Sequence, residues 1–243
     1  MSFKLSIFVG AFVTQAALTL GCPDTVSSRA KPEPEEMAVP CVEVPPADKQ
    51  QENTRVRLEQ GTNVAFGESY IGVAVVWEKQ ASLHIRPQAE EALYSLQMVV
   101  CEGEVVPIGA KFYQISSITR RSSVPNLPGA STGYVEMDST PVVLSGIQLA
   151  HNSLAMVLGA RAEISNNVTN GYHIETMELN ASSAQLDVWR LGYAKNNLQS
   201  ELKSHTVKGG ETLNLNSQPL RVRSVTPSDS PSGLRGFVEL EFI

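Results

Sequence analysis

From Val56 onward, apolar residues recur at every second position in short runs, and polar turn residues separate those runs. A period near two marks half-buried β-strands, since an amphipathic helix would repeat every 3.6 residues. Ser69 to Glu78 reads as a mostly buried strand, and Lys111 to Thr119 alternates through Tyr113 and Ile115. Leu154, Met156, Leu158, Ala160, Ala162 and Ile164 alternate along one face. Phe237 to Phe242 is expected to turn Val238, Leu240 and Phe242 inward and Glu239 and Glu241 outward. Turn signals fall at Glu102-Gly103, Pro125 to Gly129, Lys208-Gly209-Gly210 and Pro227 to Gly233. Pro87 to Ser95 and Asn196 to Ser204 are the two stretches that admit a helix. The pattern predicts an all-β protein.

The strand pattern also repeats. An offset of 107 places Gly103-Glu104 on Gly210-Glu211 and Gln114 to Thr119 on Arg221 to Thr226. After a loop four residues shorter in the second copy, Gly133 to Met137 falls on Gly236 to Leu240. Upstream, Val75-Val76-Trp77-Glu78 resembles Asp187-Val188-Trp189-Arg190 at an offset of 112. These matches predict two related antiparallel β-sandwich-like units from an internal duplication. A first β domain would fill 55–140, connecting strands 141–165, and a second β domain 166–243. Units of roughly 80 residues can each bury a core. A single larger sandwich built from both halves is the alternative. A membrane barrel would need richer aromatic girdles than the 6% aromatic content here.

The chain before Val56 differs in character. An apolar stretch over 5–20 follows Lys4, shorter than the roughly 20 residues that span a bilayer and within the signal-peptide range. It closes on Leu18-Thr19-Leu20-Gly21-Cys22. This run resembles the lipobox of bacterial lipoproteins, although that family prefers Leu and a small residue where Thr19 and Leu20 stand. The resemblance covers the signal region alone. It implies that 1–21 is a signal peptide and that Cys22 carries the lipid, which tethers the protein to a membrane. The other readings are a secretory signal cleaved after Ala16 or Ala17 and a transmembrane anchor. In the enteric pattern an aspartate directly after the cysteine retains such proteins in the inner membrane. Here Pro23 takes that place and Asp24 follows, so the resemblance favours the outer membrane of a bacterial cell envelope.

Residues 23–54 hold 6 of the 14 prolines, no glycine and no aromatic residue. Such a segment buries too little apolar area to offset its ordering entropy, so 22–54 is expected to be a disordered acidic tether that carries the lipidated cysteine. With Cys22 acylated, Cys41 and Cys101 remain as a disulfide pair, which fits an exported protein. The alternative is a buried Cys101 and a free Cys41. No cysteine or histidine spacing suggests a metal site.

Removing the signal takes Lys4 alone and leaves 18 basic against 25 acidic residues, a field opposite to that of nucleic-acid binders. No nucleophile elbow, zinc-binding helix, phosphate loop or dinucleotide fingerprint occurs, and no cofactor is implied. His84 and His173 sit in alternating runs, where an outward solvated histidine is the expected state. Trp77 and Trp189 occupy matching places in the proposed repeats. They read either as core residues or as stacking platforms for sugars, aided by Tyr134, Tyr172 or Tyr193. Arg120-Arg121, Arg221 and Arg223 offer small basic patches for anionic groups, against the plainer reading of exposed strand positions.

Three functional classes follow. The first is a lipid-anchored, non-enzymatic envelope scaffold or accessory subunit that binds a protein partner. The second is a module that binds peptidoglycan or a surface polysaccharide through Trp77 and Trp189. The remote third is a hydrolase with a site assembled from distant residues.

Overall fold

The computed structural model describes Cys41 and residues 55–89, 94–121, 133–140, 147–151, 153–167, 170–190, 202–215, 218–229 and 231–243. The signal-like segment, Cys22, the tether apart from Cys41, the Pro125 to Gly129 turn and Tyr193 lie outside them. The described residues belong to one unit, Glu36–Ile243, and form strands and turns with no helix.

The first eight strands are β1 (Arg55–Glu59), β2 (Asn63–Phe66), β3 (Ser69–Val76), β4 (Gln80–Pro87), β5 (Tyr94–Cys101), β6 (Val105–Ile108), β7 (Lys111–Arg120) and β8 (Gly133–Ser139). The second eight are β9 (Ser153–Val157), β10 (Arg161–Asn167), β11 (Asn170–Leu179), β12 (Ser183–Arg190), β13 (Lys203–Lys208), β14 (Thr212–Leu215), β15 (Gln218–Thr226) and β16 (Phe237–Phe242). One sheet runs β1-β8-β7-β6 and another β14-β15-β16-β9, while an eight-stranded sheet runs β13-β12-β11-β10-β5-β4-β3-β2. Every named strand pairing is antiparallel. The β1 sheet packs on the β3 and β5 side of the long sheet, and the β16 sheet on the β11 and β13 side. Each half is thus an up-and-down meander folded into two layers, and the pairing of β5 with β10 fuses the halves.

The halves share a strand order. Replacing β1 to β8 by β9 to β16 reproduces every pairing within the first half. Irregularities recur in step, with register shifts at Val73/Val75 in β3 and Thr176/Glu178 in β11, then at Ile115/Ser117 in β7 and Val222/Ser224 in β15. The corner between β5 and β6 has Gly103 at φ 88°, matched by Gly210 at φ 89° between β13 and β14, a left-handed conformation that favours glycine. In both corners a glutamate reaches back to a backbone N–H, Glu104 to Cys101 at 2.9 Å and Glu211 to Lys208 at 2.8 Å.

Several expectations are corrected. The alternating run from Leu154 to Ile164 is two strands in opposite layers, because the chain turns at Leu158 to Ala160 between β9 and β10. The connecting stretch at 141–165 therefore contains β9 and the start of β10, which belong to the second meander. Glu239 is buried, since β16 lies between β15 and β9. Its carboxylate accepts bonds from the Ala150 N–H and from the hydroxyls of Ser153 and Ser224. The described parts of both helix candidates are strand, bend or irregular backbone rather than helix. Finally, Trp77 follows β3 whereas Trp189 lies within β12, so the offset of 112 does not join equivalent positions. The place matching Trp77 follows β11.

The core runs through both halves, from Leu58, Ile71, Leu83 and Ile115 to Met156, Ile174, Leu220 and Phe237. At the junction of the halves, Tyr94 stacks on Phe242 with centroids 5.8 Å apart and donates to the Ser153 carbonyl at 3.5 Å. Burial, and less strongly the charge of Glu68, push its phenol pKa up to about 12.

Arg235 crosses the same junction while almost completely enclosed. Its guanidinium donates to the carbonyls of Val99 and, at 2.6 Å, Leu158, and pairs with the fully buried Glu104 at 3.4 Å. The backbone beside it completes the joint, with the Val105 N–H donating to the Gly233 carbonyl at 2.8 Å and the Arg235 N–H to the Val105 carbonyl at 3.0 Å. Removing one partner of a buried pair strands the other charge, which costs about 3–5 kcal/mol. Arg235→Met is therefore expected to lower unfolding free energy by that amount in urea melts. Glu104→Gln together with Arg235→Met should recover part of the loss, and a double variant no better than the single one would refute the coupling.

Cys41 and Cys101 are joined in a disulfide across a separation of 60 residues. By chain entropy a loop of that size stabilises by about 4 kcal/mol. Cys41→Ser should bring the denaturation midpoint close to that of the reduced protein, and an unchanged midpoint would show that the crosslink contributes little.

Candidate functional site

The long sheet's outer face carries a cluster that the strand alternation assembles from the second half. Within β12, Ala184, Leu186 and Val188 face the core, so Asp187 and Trp189 point the opposite way. Register sets His173 of β11 beside Trp189 and Glu175 beside Asp187. The next strand, β10, places Arg161 beside Glu175 and Glu163 beside His173. Across the junction, Gln97 and Ser95 of β5 flank Arg161 and Glu163.

Trp189 is only 2% exposed although it faces away from the core. The His173 ring stacks against it at a centroid distance of 5.2 Å, and the Arg161 guanidinium lies 5.3 Å from its ring centre. Arg161 is also 3.4 Å from the Glu175 carboxylate. Ser204 on β13 donates to Asp187 at 2.6 Å. Aromatic, cation and carboxylate thus satisfy one another along the face, the exposed Arg161 lying over the indole at the distance of a cation–π contact.

His173 departs from the solvated state expected of it. Its ring is partly covered, and its Nδ1 is buried without a hydrogen-bond partner among the described residues. Desolvation by this cover lowers its pKa below the ordinary value, with Glu163 pulling upward and Arg161 pushing further down. His84 is exposed, as expected.

The other candidates are dispersed. Trp77 is 8% exposed in the turn after β3, where its backbone N–H donates to the Gln80 carbonyl at 2.8 Å. Stacking on a sugar needs an open ring face, and neither indole offers one, so the sequence-based platform loses its geometric basis. Tyr134 is covered by the Arg57 guanidinium, 3.6 Å from its ring centre, with Arg121 at 5.4 Å. Tyr172 is half-buried. Arg121 lies 3.8 Å from Glu59 and Arg223 lies 3.5 Å from Glu239, so carboxylates offset parts of both basic patches. Arg120 and Arg221 are exposed strand positions.

Cys41, Cys101 and Glu104 bring their ligand atoms together. The two sulfurs are joined to each other, and Glu104 is engaged by Arg235 and the Cys101 N–H. This group is a structural joint in the oxidised protein.

No protein family, curated protein or solved structure matches the chain.

Sequence reasoning missed Arg235, Glu104 and Glu239 as organising residues. Two signals were present. Glu104 and Glu211 recur directly after the corner glycines, and Glu136 and Glu239 occupy equal places beside Ser117 and Ser224. Those hydroxyls donate to the glutamates at 3.0 Å and 3.2 Å.

Because the folded pKa of His173 lies below its unfolded value, the unfolded chain binds the extra proton more readily. Stability conferred by neutral His173 is therefore present above the ordinary histidine pKa of about 6.5 and declines as pH falls below it. His173→Phe should lose less of its urea midpoint between pH 7.5 and pH 5 than the native protein. Equal losses in the two proteins would remove His173 as the cause.

Proposed function

We propose that the chain is a lipid-anchored protein of the bacterial cell envelope, held at a membrane through Cys22, whose fused β meanders act as a non-enzymatic scaffold or accessory subunit for a protein partner. We read the matched meanders as a tandem duplication and favour the outer membrane on the strength of Pro23 and Asp24.

The observation that carries this reading is the Cys41–Cys101 bond. It accounts for two of the three cysteines and leaves Cys22, in its lipobox-like run, as the remaining thiol. Such crosslinks persist in exported proteins. The bond also fixes Cys41 at the end of β5.

Mass spectrometry of the N-terminal peptide from the membrane fraction is expected to find lipid on Cys22, and Cys22→Ser should release the protein from membranes. An unmodified Cys22 would overturn the anchor. Crosslinking in native cells should return one reproducible envelope partner, and a chain that returns none would not be a scaffold.

A further inference from the structure

We propose that β2 is a docking edge, to which an extended segment of the partner adds as an antiparallel strand with apolar residues at alternating positions. This deepens the scaffold reading and rests on it.

The template for the contact lies inside the molecule. β10 occupies in the second half the place of β2 in the first, and β5 pairs with it through four residue pairs, from Tyr94↔Ile164 to Gln97↔Arg161. Among the described residues the corresponding side of β2 has no strand, because β2 ends the long sheet. Asn63 to Phe66 supply four residues, the number used at that internal junction.

The edges of the fold are guarded unequally. Natural edge strands are commonly protected by charges, proline or bulges. At the other end of the long sheet, β13 carries Lys203 and Lys208, both exposed. Strand β1 carries Arg55, Arg57 and Glu59. Strand β2 reads Asn-Val-Ala-Phe, with no charge, no proline and an unbroken register against β3. Strand β14 is also uncharged, but its inward Leu213 and Leu215 are already buried. The inward Val64 and Phe66 of β2 are only half-buried against the core, so apolar side chains added beside them would complete their cover. At the internal junction Leu96 fills this role and is 3% exposed.

A second copy of the chain is a poorer occupant. Its own free edge, β13, places Lys203 where β5 has Leu96, as the offset of 107 shows, and would direct that ammonium against Val64. A β5-like strand from a different protein meets Val64 and Phe66 without that charge, and it is the occupant we infer. Main-chain bonds would supply affinity, and the alternate side chains would set specificity.

The test uses the disulfide-bonded protein and a synthetic peptide copying residues 94–100, Tyr-Ser-Leu-Gln-Met-Val-Val, flanked by lysines for solubility. Saturable binding should slow amide hydrogen exchange within Asn63–Phe66 at least tenfold. A peptide of the same composition with its apolar residues contiguous should leave exchange unchanged. Val64→Lys should weaken binding at least tenfold. Should that variant melt, Ala65→Pro replaces it: the two-residue hairpin at Gly67-Glu68 pairs Phe66 with Ser69, so the Ala65 N–H points to the free edge. Unprotected amides at 63–66, equal binding of both peptides, or oligomers of the chain protected at both β2 and β13 would each overturn the docking edge. A cellular partner crosslinked only from elsewhere on the body would refute this edge and leave the scaffold reading standing. The absence of any reproducible partner would refute the scaffold reading itself.

Discussion

The fold depends on a charged group sealed between its two halves. Arg235 takes acceptors from the end of β5, from the turn between β9 and β10, and from the carboxylate of Glu104. Burial lowers the guanidinium's pKa and Glu104 opposes that pull, while arginine remains a cation at accessible pH. A desolvated charge is tolerable only where its partners are fixed. The loop before β16, the corner after β5 and the start of the second meander are therefore constrained to a single arrangement. The disulfide at Cys101 ends the same strand and binds the preceding chain to the same joint.

Strand character was legible because one face of most strands meets the core, which imposes the period of two. β10 shows it plainly, with Ala162 and Ile164 buried between exposed Arg161 and Glu163. Legibility failed where a strand is covered on both sides. β9 is buried along its whole length, so its residues joined smoothly with those of β10 into one apparent run. Glu239 failed for a related reason: its glutamate identity suggested solvent, but the bulge opposite it and three hydrogen-bond donors supply a polar niche within the sheet.

The repeat was legible over its C-terminal strands because corner geometry constrains residue type. A left-handed glycine followed by a glutamate bonding back to the strand before it leaves a short signature, present at 103–104 and 210–211. Upstream, the strands are matched by position and register rather than by residue identity. Similarity around two tryptophans consequently drew the alignment to Trp189, on the wrong strand. The outer-face cluster was illegible for another reason. Its members come from five strands whose neighbours are set by pairing, and no local pattern reveals that His173 will lie against an indole.

The matched halves differ at their outer edges. Glu104 and Glu211 make the same bond to their own corners, yet Glu104 is sealed by Arg235 and Glu211 is exposed. In sequence, the residue matching Arg235 before the equivalent glycine is Thr132, which carries no guanidinium. Position 203 carries lysine where position 96 at the junction carries leucine. These differences give the β13 side a polar outer edge. On the β2 side, the half-covered Val64 and Phe66 have the apolar character of the internal junction. The two ends of the long sheet therefore differ in kind: the β2 edge is uncharged with half-buried apolar side chains, while the β13 edge carries exposed lysines that oppose pairing with another apolar strand.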